Sequence, residues 1–358
     1  MQFRGALLGC GQVSHHHLQA WANIDSVEIV ALYNRTKSRA EERAREYGIP
    51  EDHVYGDYIE LLEKETIDFV DVASVPQVHR PMVEAAAARG KHVLCQKPFA
   101  PSISDAQTMI NVCEKANVML SINENWRWRV WYRNLKDVLD EGHIGRPRYI
   151  SVSKHRSATL PGRDGSPPPL VDEPSLLEFE RLIIYDWGIH LIDLIRFLFG
   201  EIDNVFTRID KVSPYFKGED RALLSLDIGG IMGLIDISWA SRIIQPDTMN
   251  IDILPENVII EGDNGTIELH EYGKSIRVIT ENRTFEHKAY DITPLEVYKG
   301  SYTAAQRHFI DCLRSGKIPE TEAKDNIKTL MVTLAAYESA AHNMVIELDY
   351  DELDYTNS

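Results

Sequence analysis

The sequence predicts an α/β doubly wound parallel sheet followed by an α+β domain with a large, open, mostly antiparallel sheet. Three observations carry this. Short apolar runs alternate with helical patterns over 1–122, strands then succeed one another after about residue 123, and 358 residues are too many for one small core. Alternating strands and helices imply right-handed crossovers and parallel pairing, whereas consecutive strands with short glycine turns imply antiparallel pairing. Two domains follow, 1–122 and 123–358.

In the first domain, "FRGALLG" reads as a strand, 13–23 as a helix and "VEIVALY" (27–33) as the second strand, before a charged helix over 36–47 and another around 57–64. The strand "IDFVDVAS" (67–74), a helix over 79–89, the strand "KHVLC" (91–95), a helix over 104–116 and the strand "VMLSI" (118–122) complete it. The second domain opens with a helix over 129–141 ending at Gly142, then a strand over 146–156. "SATLPGRDGSPPPLVDEPS" (157–175) has the Pro, Gly and Ser content of a loop, and a helix over 186–199 ends at Gly200. Strands follow over 202–212, 221–228, 231–239, 248–254, 257–262, 266–270, 275–280 and 284–289, and helices over 297–315 and 322–341 close the chain. No internal repeat is visible.

The formal charge of −17 sets the chain against nucleic acid and anionic membrane surfaces, although backbone dipoles can still hold a phosphate-bearing cofactor. Cys10, Cys95, Cys113 and Cys312 are scattered without a C-x-x-C pair, which reads as reduced thiols in a cytoplasmic protein. No signal-peptide pattern opens the chain, and no apolar stretch approaches the roughly 20 residues that span a bilayer.

The chemistry begins at "ALLGCGQVSHHHLQAW" (6–21), where Gly9 and Gly11 stand at the first strand-to-helix turn, with Cys10, Gln12 and Val13 around them. One glycine permits the tight turn and the next lets a pyrophosphate approach the backbone at a helix N-terminus. Ser14 replaces the third glycine of G-x-G-x-x-G. Placed at the first junction of a βαβ series, the motif makes the first domain a dinucleotide-binding Rossmann domain. At the end of the second strand stands Asn34, where an acidic residue would hold the ribose 2′-hydroxyl of NAD. Asn34 does not repel a 2′-phosphate, and Arg35 and Thr36 can contact one, so these residues lean towards NADP. The consecutive histidines 15–17 point about 100° apart on a helix and cannot converge on one ion, so no metal is expected. One of them should lie near the cofactor cleft.

Ligands of such sheets bind at the carboxyl ends of the strands. "SVPQVHR" (74–80) supplies Ser74, Pro76 and His79 there, and "CQKPFA" (95–100) supplies Gln96 and Lys97. Lys97, fixed by Pro98, can hydrogen-bond a substrate hydroxyl and assist proton transfer. In "YDWGIHLIDLIRFLFG" (185–200), Asp186 and His190 fall at i and i+4 on one helical face. A carboxylate that orients an imidazole makes a general base working near neutrality; alternatively the pair is a helix-terminal acid and a packing histidine.

The order of glycine loop, Pro-x-x-His, Lys-Pro and Asp-x-x-x-His resembles the Gfo/Idh/MocA family, the glucose–fructose oxidoreductase and inositol dehydrogenase group. The likeness runs through "GCGQVSHHH", where His17 matches the family's loop histidine, "SVPQVHRPMVEAAAARGKHVLCQKPFA", Arg127 ahead of "LDEGHIGRPRYI", and "YDWGIHLIDL". It implies that Lys97, Asp186 and His190 are the catalytic lysine, aspartate and histidine of an NAD(P)-dependent sugar dehydrogenase. It also implies a homodimer or homotetramer joined through the open sheet. Trp126, Arg127, His155 and Arg163 are candidate substrate contacts, with the long loop over the cleft of the second domain.

Two departures bear on the sugar. Gln96 stands where the family has Glu, and "RLIIY" replaces the usual glycine pair before Asp186. The "CQKPFAPS" variant resembles the branch that oxidises the branched pentose D-apiose to its lactone with NAD. Oxidation of an inositol or glycoside to a ketone is the alternative within the class, and a non-catalytic dinucleotide-sensing regulator is the alternative outside it. The direction of reaction is open.

Overall fold

In the computed structural model the described residues are 2–172, 174–242, 256–270 and 273–353. They form two compact units, the first from the described residues within 2–128, 299–330 and 350–353, the second from those within 129–298 and 331–349. The sequence reading cut the chain once, after residue 122. Contacts divide it after 128 instead, and residues 299–330 return to the first unit, where Phe309 and Ile310 pack with Trp21 and Phe69.

The first unit runs β1 (Phe3–Leu8), α1 (Gln12–Trp21), β2 (Val27–Tyr33), α2 (Lys37–Tyr47), β3 (Val54–Tyr55), α3 (Tyr58–Lys64), β4 (Phe69–Val72), α4 (His79–Ala87), β5 (His92–Gln96), α5 (Ile103–Lys115) and β6 (Leu120–Asn123). The strands form one parallel sheet in the order β3-β2-β1-β4-β5-β6. Its central strands are buried on both faces, which is why they read as near-continuous apolar runs, with Leu7 beside Leu32 on one side and Asp71 on the other. Asp71, fully buried, is the polar interruption of β4. Local chemistry sets the helix ends. Asp57 accepts from the Ile59 N–H at the start of α3, and the Ser102 hydroxyl accepts from the Asp105 N–H while donating to its carboxylate at the start of α5. The short β3 was not expected.

The second unit begins with α6 (Val130–Asp140), β7 (Pro147–His155), α7 (Pro174–Glu178) and α8 (Ile189–Phe199). The strands β8 (Asn204–Asp210), β9 (Arg221–Ile228), β10 (Ile231–Ser238), β11 (Asn257–Gly262), β12 (Gly265–His270), β13 (Ser275–Thr280) and β14 (Thr284–Ala289) follow. The long helices α9 (Pro294–Ser315) and α10 (Ala323–His342) and the short β15 (Ile346–Glu347) end the chain. Nine strands make one sheet in the order β14-β13-β12-β11-β7-β10-β9-β8-β15. The pairing is antiparallel except between β7 and β10, because α8 carries the chain back so that β8 and β10 run with β7. Alternating burial along β7 and β9 gives the sheet one core face, where Ile150, Val152, Leu224, Leu226, Ile235 and Ile237 are buried. The expected strand over 248–254 lies outside the described residues.

Candidate active site

In the first unit the strand order reverses between β1 and β4, which opens a crevice at the carboxyl ends of the strands. Gly9 lies there with φ +116°, and a Cβ on it would stand 2.4 Å from the Ala73 carbonyl oxygen, so only glycine lets the ends of β1 and β4 come this close. Gly11 is the N-cap of α1, carries no side-chain cap, and an added Cβ would meet nothing within 4 Å. The helix N-terminus is thus open on the side where a pyrophosphate of a nicotinamide dinucleotide would lie, and the turn fits that group. Asn34 holds the turn in shape. Its Oδ1 accepts from the Cys10 N–H at 3.0 Å and its Nδ2 donates to the Thr36 carbonyl at 2.9 Å. That leaves one Nδ2 hydrogen for a ribose oxygen. Gln12 and Arg35 are exposed, whereas Val13 packs against the core under α1.

Two residues expected at the cofactor are tied into the protein. The Cys10 thiol is turned inward towards the Tyr33 carbonyl, and burial pushes it up to about 12, so Cys10 is a packing residue of the turn. His79 is fully buried, with Nδ1 3.0 Å from the Phe99 carbonyl oxygen and Nε2 2.9 Å from that of Ser74. It ties the loop after β4, carrying Ser74 and Pro76, to the loop after β5, carrying Lys97, and burial holds it below the usual histidine range.

Behind Lys97 lies a buried polar network that sequence reasoning missed. His17 Nδ1 is 2.8 Å from Asp71 Oδ2, which also accepts from Trp21 Nε1 at 2.7 Å. His17 Nε2 faces Gln96 Nε2 at 3.1 Å and Asn123 Nδ2 at 3.2 Å. Gln96 Oε1 accepts from the Lys97 N–H at 2.6 Å. The signal in the sequence is one aspartate inside an otherwise apolar strand. Of the other two histidines, His15 is exposed beside Tyr47 and His16 stacks on Tyr302.

In the second unit, Asp186 sits in a π-helical turn over Ile184–Gly188 that runs straight into α8, where His190 is buried. The expected regular helix from 186 is therefore under-wound at its start, a feature that recurs at functional sites. Glu219 holds this start: its carboxylate accepts from the N–H groups of Leu182 and Ile184 and from the Tyr337 hydroxyl at 2.6 Å. On the same sheet face, Lys154 and Arg156 lie 4.8 and 4.7 Å from the Trp187 ring. Lys154 also donates to the buried Glu256, which Arg129 joins at 3.2 Å.

The alternation of β7 sets His155 apart from its neighbours. Lys154 and Arg156 are in phase with Ile150 and Val152, while His155 points to the opposite face, 2.9 Å from the Asp236 carboxylate. Trp126 and Arg127 belong to the first unit, not the second domain. Both are buried, and Arg127 donates to the Glu320 carbonyl and faces Asp325 at 3.6 Å. Arg163 is exposed on the long loop. That loop is pinned at its root, where the Thr159 hydroxyl donates to Asp220 and the Ala158 N–H to the Trp239 carbonyl. Glu141, His143 and His287 bring one ligand atom each within 4.8 Å of one another, as a carboxylate shared by two imidazoles. All four cysteines are free and buried. Among the described residues no helix is long and apolar enough to cross a membrane.

Comparison with known proteins gives matches over both parts. Residues 3–124 match the model of an oxidoreductase family with an NAD-binding Rossmann fold, and residues 132–268 match the GFO/IDH/MocA C-terminal domain. A D-apiose dehydrogenase of Paraburkholderia graminis is 36% identical over 97% of this chain and 90% of its own. A myo-inositol 2-dehydrogenase of Thermotoga maritima is 26% identical over 97% and 98%. An Agrobacterium radiobacter oxidoreductase, solved with NAD+, L-tartaric acid and magnesium, superposes with TM-score 0.87 at 33% identity, covering 97% of this chain and 98% of that one.

Proposed function

The chain belongs to the Gfo/Idh/MocA oxidoreductase family, and from that premise we propose that it is a nicotinamide-dependent sugar dehydrogenase acting on D-apiose or a close pentose. The observation that carries the reading is the open glycine cradle at Gly9 and Gly11 in a chain alike over 97% of its length to a D-apiose dehydrogenase. Oxidation at C1 of the cyclic hemiacetal would give a lactone.

The bound nicotinamide supplies the hydride acceptor. In this reading the first turn of α1 binds the pyrophosphate, and Asn34 and Arg35 meet the ribose end. Lys97 hydrogen-bonds the reacting hydroxyl and fixes its oxygen, while the His190 imidazole takes the hydroxyl proton, oriented by Asp186. Lys154 and Arg156, beside the Trp187 ring at the end of β7, join the substrate-side contacts in this reading.

Turnover is tested by following nicotinamide reduction at 340 nm with D-apiose, other free pentoses, inositols and glycosides, with each of NAD and NADP. Lactone formation from D-apiose supports the reading, and activity confined to inositols or glycosides replaces its substrate. No turnover of any of them, with saturable NADH binding retained, favours the dinucleotide-sensing alternative. We also infer that copies associate through the open sheet face, where Leu223 and Met232 are 43% and 59% exposed. A monomer by sedimentation, or an oligomer that survives Leu223→Glu with Met232→Glu, would remove that inference.

A further inference from the structure

We propose that Asp71, His17 and Gln96 form a one-way hydrogen-bond chain that positions the backbone of Lys97, with Asn123 reinforcing it. The proposal rests on the reading of Lys97 given above, and extends it to buried residues behind it.

The direction of the chain follows from its ends. At one end the donor is the Lys97 backbone N–H, so the atom of Gln96 that it meets at 2.6 Å must be the amide oxygen. The other end of that amide is then NH2, which makes His17 Nε2, 3.1 Å away, an acceptor. An imidazole that accepts at Nε2 carries its hydrogen on Nδ1, and Nδ1 faces Asp71 at 2.8 and 3.0 Å. At this far end the indole N–H of Trp21, which can only donate, independently requires Asp71 to accept. The two ends agree. Asn123 Nδ2 adds a second donor on Nε2, which further disfavours a hydrogen there.

Every member except the half-buried Lys97 is excluded from solvent, so a reversed bond could not be rescued by water. The chain reaches from β4 through α1 to the end of β5, and so fixes Lys97 to the same frame as the glycine turn. A neutral amide at 96 is what permits it. A carboxylate there could still accept from Lys97, but it would present a lone pair to Nε2 and force a second proton onto His17.

A reversal cycle tests this, read by hydrogen exchange at the Lys97 amide and by kcat on D-apiose. In Asp71→Asn the Trp21 indole keeps the amide oxygen in the place of Oδ2, so the NH2 takes the place of Oδ1, 3.0 Å from Nδ1; a hydrogen offered there moves the imidazole hydrogen to Nε2, turns the Gln96 amide over and takes the Gln96 oxygen from the Lys97 N–H. Exchange at Lys97 should quicken about tenfold and kcat fall by a similar factor, with NADH affinity within about threefold of wild type. Gln96→Glu alone should also lower kcat. The two together restore a consistent chain, since the new carboxylate accepts from both Nε2–H and the Lys97 N–H, and both readouts should return to within about threefold of wild type. Losses that add in the double variant would overturn the proposal. If Asp71→Asn does not fold, Gln96→Met decides, and unchanged exchange at Lys97 overturns it. Wild-type kcat in Lys97→Ala would instead defeat the reading of Lys97, and leaves the exchange measurement as the judge of the chain.

Discussion

Two helix starts in this molecule are built in opposite ways. At α1 the N-cap is Gly11, without a side-chain acceptor or an acidic residue in the first turn. At the π turn leading into α8, the carboxylate of Glu219 accepts from the first N–H groups. An uncapped N-terminus beside a glycine turn keeps its donors and its partial positive charge for a ligand anion. A start that already holds its own anion has none to offer, and serves to fix the side chains that follow, here Asp186 and His190. Whether a helix N-terminus binds or orients thus depends on whether the fold supplies an internal acceptor.

The largest effects should come from the two residues assigned to the chemistry, Lys97 after β5 and His190 behind the second start. Lys97→Ala and His190→Ala should each lower kcat by roughly 10²- to 10⁴-fold while NADH binding survives. Wild-type turnover in both would remove the chemical assignment. Next, Gly11→Asp makes the first start resemble the second. The added carboxylate has room and is a good N-cap, so Tm should hold or rise while the Kd for NADH increases about a hundredfold. An unchanged Kd would show that the pyrophosphate does not lie there.

A smaller difference separates the cofactors. Arg35→Ala should weaken NADPH about three- to tenfold more than NADH if its exposed guanidinium meets the 2′-phosphate. Equal effects would favour NAD. The smallest is at Glu219. Burial raises its carboxyl above the usual value of 4.5, against the hydrogen bonds from Tyr337, Ile184 and Leu182. A carboxyl raised in the folded state contributes stability that is full below the unfolded value and is lost as pH rises through the folded one. Glu219→Gln lacks that loss, so its Tm relative to wild type should climb from pH 4.5 towards neutrality. A flat difference would mean the group does not titrate in that window.

Much of this architecture was legible in the chain. The apolar run of 27–33, and the strand ends at 228 and 280, fall where periodicity and turn residues put them, and the run expected over 91–95 is displaced by one residue. Gly9 was legible because one backbone conformation and one close approach demand it. The face of Lys154 and Arg156 was harder to read: they alternate in phase with Ile150 and Val152, but a charged pair on the core face reads as the solvent face until its partners are known. Arg127 was misplaced because its partners, Glu320 and Asp325, lie almost 200 residues further along the chain.

The sequence by itself determined the order of the longer elements, the dinucleotide turn and the family, since each depends on neighbours within a few residues and on local backbone preference. Only the tertiary structure decided the partners. Asp71 with His17, Glu219 with the start of the α8 segment, and the return of residues 299–330 to the first unit all join distant stretches of chain. Pairing of this kind follows from burial: a polar group removed from water must find an acceptor or donor wherever the fold brings one. No local pattern records where that will be.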